Sequence, residues 1–536
     1  VAGTPDIDLP PKYYLGNFHR LLKHVAALYQ DLFIQEELNW IKRFYSLSED
    51  AQCLLVRLLS RKGQWFRTDK LKYKELVSVS DNLSELAHFK FIEFEYPNSC
   101  AELAQRLLSK AEILQLFPAL PKTKRKPELI ALLQSYSEIP TNVSFDPIKL
   151  VDEGKLELFC LLFFGNRYQE FAQFVLENLG IHRFEQYEIS KSTRLFSSRD
   201  EIDSAIAIHH LYATYEQADK SCKSSLLDLA ARLPVAVGDY SQRQSQKLTN
   251  LIARDLERLG EYDHSLSLFE STTLPPSRER QVRILISMDR FQPALTLTTS
   301  MRDNPEDINE QEVANRLHAK LARKLGLSTS APKKLQPPVR KRVLDLSNTR
   351  VEVAVCKDLE HQGWIPYFLE NNFLNTLFGL TFWDIIFAPV EGAFINPYQR
   401  QPLDLYRSSF VQNRKAAIEN RLQEVRDFGI TPFKQLIDVK RGILNPFIAW
   451  DQVDESWITL AEQTLSPELL ADLFSVMLKD LRVFRSGMPD LVAFKNGNWL
   501  WCEVKGPGDK LQDNQKRWMH ELERLGINYE VCLVNQ

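Results

Sequence analysis

Apolar and aromatic residues recur three and four apart from Tyr13 to about Tyr96, the spacing that gives a helix one buried face. The same period continues with few interruptions from about residue 145 to 325, where strand-like alternation is scarce. A stretch dense in Pro, Ser and basic residues, LSTSAPKKLQPPVRKRV from Leu327, then breaks the pattern and marks a domain boundary. Beyond it the period changes. Leu491 to Lys495 and Asn498 to Lys505 read as strands on either side of Asn496-Gly497, a two-residue hairpin turn whose positions both need positive φ. Ser466-Pro467 starts a helix running to about Phe484. Leu511, Gln515, Trp518, Met519, Leu522 and Leu525 form one face of another, and Asn528 to Val534 reads as a closing strand.

The hairpin carries the chemistry. With Lys495 facing Asn498, counting outward pairs Phe494 with Trp499, Val492 with Trp501, and Asp490 with Glu503. Two carboxylates then stand with Cβ atoms about 5 Å apart, which is unfavourable unless a positive charge lies between them. Period-two alternation adds Lys505 to the face of Glu503, while Val504 turns its side chain away and leaves its carbonyl at the same edge. Oxygen donors of this hardness suit Mg²⁺ or Mn²⁺, as one or two ions, rather than zinc. Upstream, Glu370 is expected on a helix face with Phe373, Leu374, Leu377 and Phe378, where metal ligation and capping or ion pairing are both open roles. Asp384 recurs near that face and reads as structural.

Charge adds candidate DNA contacts. The chain is nearly balanced, 67 Lys+Arg against 70 Asp+Glu in 536 residues, so nucleic-acid binding needs local patches. One patch is a ribbon from residue 57 to 74, with Arg57, Arg61, Lys62 and Arg67 among its cations and Trp65, Phe66 and Tyr73 interleaved. A second, Lys122, Lys124, Arg125 and Lys126, precedes a helix that Pro127 would start, at an end whose amides favour phosphate. Lys333, Lys334, Arg340, Lys341 and Arg342 form a third, in the linker. Ordinary solvated surface is the alternative for each.

Composition excludes several classes. With 44% hydrophobic and 26% charged residues the chain is globular rather than fibrous or disordered, and its length implies several domains. The seven cysteines are scattered, giving neither a disulfide framework nor a zinc spacing, which fits a reducing compartment. No secretory signal is visible, and the apolar run Phe373 to Val390 contains Asp384, as a buried helix rather than a membrane span would. The expectation is a cytoplasmic protein, associated with the nucleoid when on DNA.

Several segments resemble known modules. Ser109 to Gln134, two short helices around a basic turn, resembles a SAP motif, which binds DNA. NRYQEFA from Asn166, GEYDHSL from Gly260 and DRFQPAL from Asp289 echo one another, similar to tetratricopeptide hairpins. Tyr262 and Phe291 are 29 residues apart, short of the roughly 34 of that repeat, so an irregular helical array fits as well. Pro489, Asp490, Glu503 and Lys505 match the P-D…E-x-K signature of restriction-endonuclease-like folds. LLVRLLSRKGQWFR from Leu54, LENNFLNTLFGLTFWDIIF from Leu369, QPLDLYRSSF from Gln401 and GMPDLVAFKNGNWLWCEVKGPGDKLQDNQKRW from Gly487 are similar to the Fanconi-associated nuclease family, with a C-terminal VRR-NUC domain.

That resemblance implies a multidomain chain, mostly α-helical over its N-terminal two-thirds, with a C-terminal α/β restriction-endonuclease-like domain. The expected divisions are a helical DNA-binding domain at 1–98, a SAP-like module at 99–142, tetratricopeptide-like helices at 143–327 and the VRR-NUC nuclease at 328–536. It further implies a 5′-flap endonuclease and 5′-to-3′ exonuclease of bacterial type, dependent on Mg²⁺ or Mn²⁺, acting on branched DNA in interstrand crosslink repair; the long N-terminal extension favours a monomer, with oligomerisation on DNA open. Glu370, Asp490, Glu503 and the Val504 carbonyl would bind metal, Lys505 would be the catalytic lysine, and Gln515 would support the site. The family's pocket for a 5′-terminal phosphate has no motif by which to place it here. A Holliday-junction resolvase and a non-catalytic repair scaffold are the rival readings.

Overall fold

The computed structural model describes residues 11–136, 140, 143–151, 153–166, 183–327, 335–347 and 349–535. The chain divides into two compact units, Val1–Ile181 and His182–Gln536. The expected boundary at 142/143 is therefore displaced. Residues 143–166 belong to the first unit, because strand β3 below pairs within it.

The first unit is helical but holds a small antiparallel sheet that helical periodicity did not announce: β1 (Trp65–Arg67), β2 (Ile92–Glu93) and β3 (Pro147–Leu150), in the order β1-β3-β2. Helices Tyr13–Tyr29, Gln35–Ser46 and Glu49–Leu59 pack around Phe18, Trp40, Phe44 and Leu54, all essentially fully buried. Trp40 and Phe44, one helical turn apart, stack at 5.8 Å between centroids. A separate cluster of Cys100, Leu103, Ile113, Leu129, Leu133 and Phe145 joins three short helices, Cys100–Arg106, Lys110–Leu116 and Lys126–Leu133. The last two are the pair of short helices expected between Ser109 and Gln134, and Pro127 lies in the first turn of the second.

In the second unit, helices from Arg199–Gln217 to Ile308–Lys324 pack largely each upon its neighbour. The echo between GEYDHSL and DRFQPAL has a concrete form. Gly260 and Asp289 take φ of 80° and 57°, and two residues later Tyr262 and Phe291 open helices Tyr262–Glu270 and Phe291–Asp303. Beyond Asn166, most of the third echo lies outside the described residues.

The C-terminal part of this unit is built on five strands, β4 (Val339–Val343), β5 (Ile365–Phe368), β6 (Leu491–Lys495), β7 (Asn498–Lys505) and β8 (Tyr529–Asn535), in the order β4-β8-β7-β6-β5. The expected linker residues Arg340, Lys341 and Arg342 are thus in a strand parallel to β8. Arg342 is buried and paired with Asp358 and Glu530, so it is no DNA contact; Lys333 and Lys334 lie outside the described residues. Alternate residues of the strands face two cores. Leu491, Ala493, Cys502 and Val504 pack on helix Val351–His361, whereas Val492, Phe494 and Trp501 face Phe373, Trp518 and helix Asp513–Leu525. The apolar run from Phe373 is split into helices Asn372–Thr381 and Trp383–Ile386. No helix among the described residues is long and apolar enough to cross a membrane.

Candidate active site

The hairpin turn forms as its chemistry requires, with Asn496 and Gly497 at φ of 49° and 74°. Its register is Lys495 with Asn498, Phe494 with Trp499 and Val492 with Trp501, ending at Leu491 with Cys502. One step further out, Asp490 stands beside Glu503, and its Oδ2 accepts the Val504 amide at 2.8 Å. Glu503 is fully buried. Its Oε1 receives Lys505 Nζ at 2.7 Å and Gln515 Nε2 at 2.5 Å, while its Oε2 is buried with no hydrogen-bond partner among the described residues.

Gln515 is held from both ends of its amide. It occupies the third position of helix Asp513–Leu525, where its Oε1 accepts the Gln512 amide at 2.9 Å and leaves Nε2 free to reach Glu503. The helix can approach this closely because Gly487, at φ 88°, has no side chain: a Cβ there would lie 2.7 Å from the backbone of Asn514.

Glu370 departs from expectation. It lies in an exposed turn ahead of helix Asn372–Thr381 and not on its buried face, with φ of 43°. That turn is tied to the site through its backbone, the amides of Leu369 and Glu370 both donating to the Asp490 carbonyl at 3.2 and 2.9 Å. Among the described residues Glu370 does not close a three-carboxylate cage with Asp490 and Glu503. Asp384 is structural as expected, paired with Arg421 at 2.8 Å.

Burial, chiefly, pushes Asp490 up to about 6, with Glu370 and Glu352 adding repulsion against the opposing pull of the Val504 amide and Lys505. Glu503 is pushed to about 7, first by burial and then by Asp490, with Lys505 acting against both. Glu352, in the first turn of helix Val351–His361, is a member of this acidic set that the sequence pattern did not single out. The buried, unpartnered Oε2 beside a second carboxylate fits a hard divalent cation, which would complete its shell with water and phosphate oxygens.

Comparison with known proteins agrees. The chain is 32% identical to the Fanconi-associated nuclease 1 homolog of Pseudomonas aeruginosa, over 98% of this chain and 96% of that one. It belongs to the Fanconi-associated nuclease family. Family models described as "FAN1, HTH domain" and "VRR-NUC domain" match residues 12–93 and 431–536. An Arabidopsis thaliana homolog is 26% identical over 98% of this chain and 68% of its own length. A crystal structure of paFAN1 bound to 2nt 5′flap DNA with gap superposes with a TM-score of 0.83 at 30% identity, covering 99% of both chains. Nucleases with a VRR-NUC domain depend on divalent metal. The VRR-NUC match begins at residue 431, so Glu370, β4 and β5 fall outside it.

The basic clusters divide. Arg57 is paired with Glu75 and lies over the Tyr14 ring, and Arg67 is paired with Asp69 and Glu112 with Phe145 beneath it. Both are structural cations rather than the DNA contacts expected, since a guanidinium engaged by carboxylates has little left for phosphate. Phe66 is in the core, so the ribbon offers no row of free rings. Arg61 and Lys62 are exposed. Lys122 and Arg125 are exposed and Lys124 and Lys126 half-buried before the helix Lys126–Leu133, a geometry open to phosphate.

A further cation set was invisible in the sequence. A cleft of about 650 Å³ in the second unit is lined by Arg243, Lys247, Arg407 and Arg482. None of the four makes an ion pair among the described residues, and the Arg243 Nε is buried without a partner. Burial and mutual repulsion lower Arg243 to about 10 and also lower Lys247 and Arg407. The acids of the same wall are engaged: Asp307 and Asp480 cap helices, and Glu306 faces Arg278.

Proposed function

We propose that this chain is a structure-specific DNA nuclease that cuts at 5′ flaps and digests from 5′ to 3′, in the repair of interstrand crosslinks. Cytoplasmic action on the nucleoid follows from that reading. The Pseudomonas relative and the flap-bound structure support it, and the observation that carries it is the buried Glu503 Oε2, a lone acceptor beside Asp490.

Asp490, Glu503 and the Val504 carbonyl would hold the cation, and Glu370, on the turn bonded to the Asp490 carbonyl, is the further candidate ligand. When bound, Mg²⁺ or Mn²⁺ supplies Lewis acidity toward the attacking water and the phosphate. Lys505, anchored on Glu503, presents an ammonium to the charge that develops as the phosphodiester opens. Gln515 fixes the orientation of Glu503. The four-cation cleft receives the 5′-terminal phosphate of the flap, since clustered cations without carboxylate partners favour a dianion. Lys122, Lys124, Arg125, Lys126, Arg61 and Lys62 are the candidate backbone contacts.

Labelled 5′-flap, four-way and blunt duplex DNA, incubated with Mg²⁺, Mn²⁺ or EDTA, test this. Metal-dependent cleavage of the flap above the other two is expected. Preference for the four-way junction would favour a resolvase, and no cleavage of any would favour a scaffold.

A further inference from the structure

Next to the four-cation cleft lies a second cavity of about 450 Å³, and Lys247, Leu274 and Pro275 belong to the walls of both. One helix, Gly238–Arg258, runs along the two. Arg243, Lys247, Leu251 and Arg254 follow one another at steps of four, four and three, so they form a single stripe on it. Arg243 and Lys247 line the first cavity, and Lys247, Leu251 and Arg254 line the second. Along that stripe the chemistry changes from charge alone to apolar surface flanked by guanidinium planes.

Leu251 is 39% exposed, a leucine set in solvent between cations on a stripe whose other members are polar. Leu274 and Pro275 line the same cavity. Arg254 and Arg280 both donate to Glu257, at 2.7 and 2.9 Å to its Oε2, which offsets one of the two charges and fixes the planes of the two groups. Asn250 is locked by Thr272 and the Leu274 carbonyl. A slot with apolar walls and oriented guanidinium planes suits a flat aromatic heterocycle. Lys247 and Leu251 are four residues apart, about 6 Å along the helix, one nucleotide's reach from phosphate to base.

We infer that this second cavity takes the nucleobase of the 5′-terminal nucleotide whose phosphate occupies the cleft. The inference rests on the phosphate reading of the cleft and deepens it: the enzyme would grip a terminal nucleotide by phosphate and base together. Stacking accepts any base, so the slot strengthens end recognition without imposing sequence.

The test is binding of the full chain, in EDTA, to single-nucleotide 5′-flap DNA by fluorescence anisotropy. Four flap ends are compared: base-bearing or abasic (tetrahydrofuran), each with 5′-phosphate or 5′-hydroxyl. The expected result is tighter binding of the phosphate ends and, among them, about tenfold weaker binding of the abasic one. Leu251→Ala, at an exposed position, should bring base-bearing and abasic ends toward parity while the phosphate preference persists. Equal binding of base-bearing and abasic ends, with the phosphate preference intact, overturns the base slot alone. Loss of both preferences in the unmodified chain overturns the phosphate reading and the slot with it. A base preference that Leu251→Ala leaves unchanged places the base elsewhere and also overturns the inference.

Discussion

Lys505 Nζ lies 2.7 Å from Glu503 Oε1, so the lysine is held by the carboxylate two residues before it on the same face of β7. The pair shares one oxygen and leaves the other, Oε2, without a hydrogen-bond partner among the described residues. Lys505→Ala and Glu503→Gln should each lower the flap cleavage rate by at least about 10²-fold while binding of uncut flap DNA, followed by anisotropy in EDTA, stays within a few fold. Cleavage retained by either variant would remove the pair from the chemistry.

Asp490 and Glu503 should make metal binding depend on pH. Their folded values, about 6 and about 7, lie above the ordinary carboxylate range. The folded chain therefore binds these protons more tightly than the unfolded chain, and stability contributed by the protonated forms is lost as pH rises through 6 to 7. A cation requires the deprotonated forms and restores what their repulsion costs. Mn²⁺ should raise the melting temperature at pH about 8 and much less at pH about 5.5. An equal rise at both, or a rise that survives Asp490→Asn with Glu503→Gln, would locate the ion elsewhere.

Gln515 acts through Glu503. Gln515→Ala should reduce activity by about 10–100-fold and shift the Mn²⁺ concentration needed for half-maximal rate upward. A lower rate at an unchanged metal requirement would show that its bond to Glu503 does not tune the site.

Arg342 joins the edge strand β4 to its neighbour β8 through buried Glu530 and also reaches Asp358. Removing the guanidinium leaves Glu530 buried with only the weak Cys502 thiol contact and an exposed Arg340 in reach. Arg342→Ala should cost about 3–5 kcal/mol in urea unfolding. A loss under about 1 kcal/mol would mean the pair behaves like a surface one.

The basic clusters make opposite forecasts. Replacing Lys122, Lys124, Arg125 and Lys126 by alanine should flatten the dependence of DNA affinity on salt, by roughly one unit of log-log slope for each true phosphate contact. Arg67→Ala should lower the melting temperature, because Asp69 and Glu112 lose their partner, and leave that slope alone.

What could be read in the sequence was what short-range rules govern. Asn496-Gly497 admits one hairpin register, and the register alone brings Asp490 to Glu503. Helical spacing put Gln515 in the helix after the hairpin, while its place at the site came only from the family resemblance. Glu370 was misplaced as structure, since apolar periodicity does not reveal that the residues ahead of Asn372 leave the helix for a left-handed turn. Arg57 and Arg67 looked like free cations because Glu75 and Glu112, which engage them, lie 18 and 45 residues further on, although Arg67 also has a local partner in Asp69. The cleft of Arg243, Lys247, Arg407 and Arg482 gathers cations from three distant segments, and no local pattern could announce it.

The sheet's outer strand has an evolutionary corollary. β4 lies ahead of every proposed site residue yet zips in parallel along β8, the last strand among the described residues. A fragment cut at residue 431, where the VRR-NUC match begins, would forfeit two of five strands and the Glu370 turn, and expose the hydrogen-bonding edge of β8. Catalysis in this chain is therefore not a detachable cassette: gene fusions or truncations that preserve the hairpin alone should yield insoluble, inactive protein.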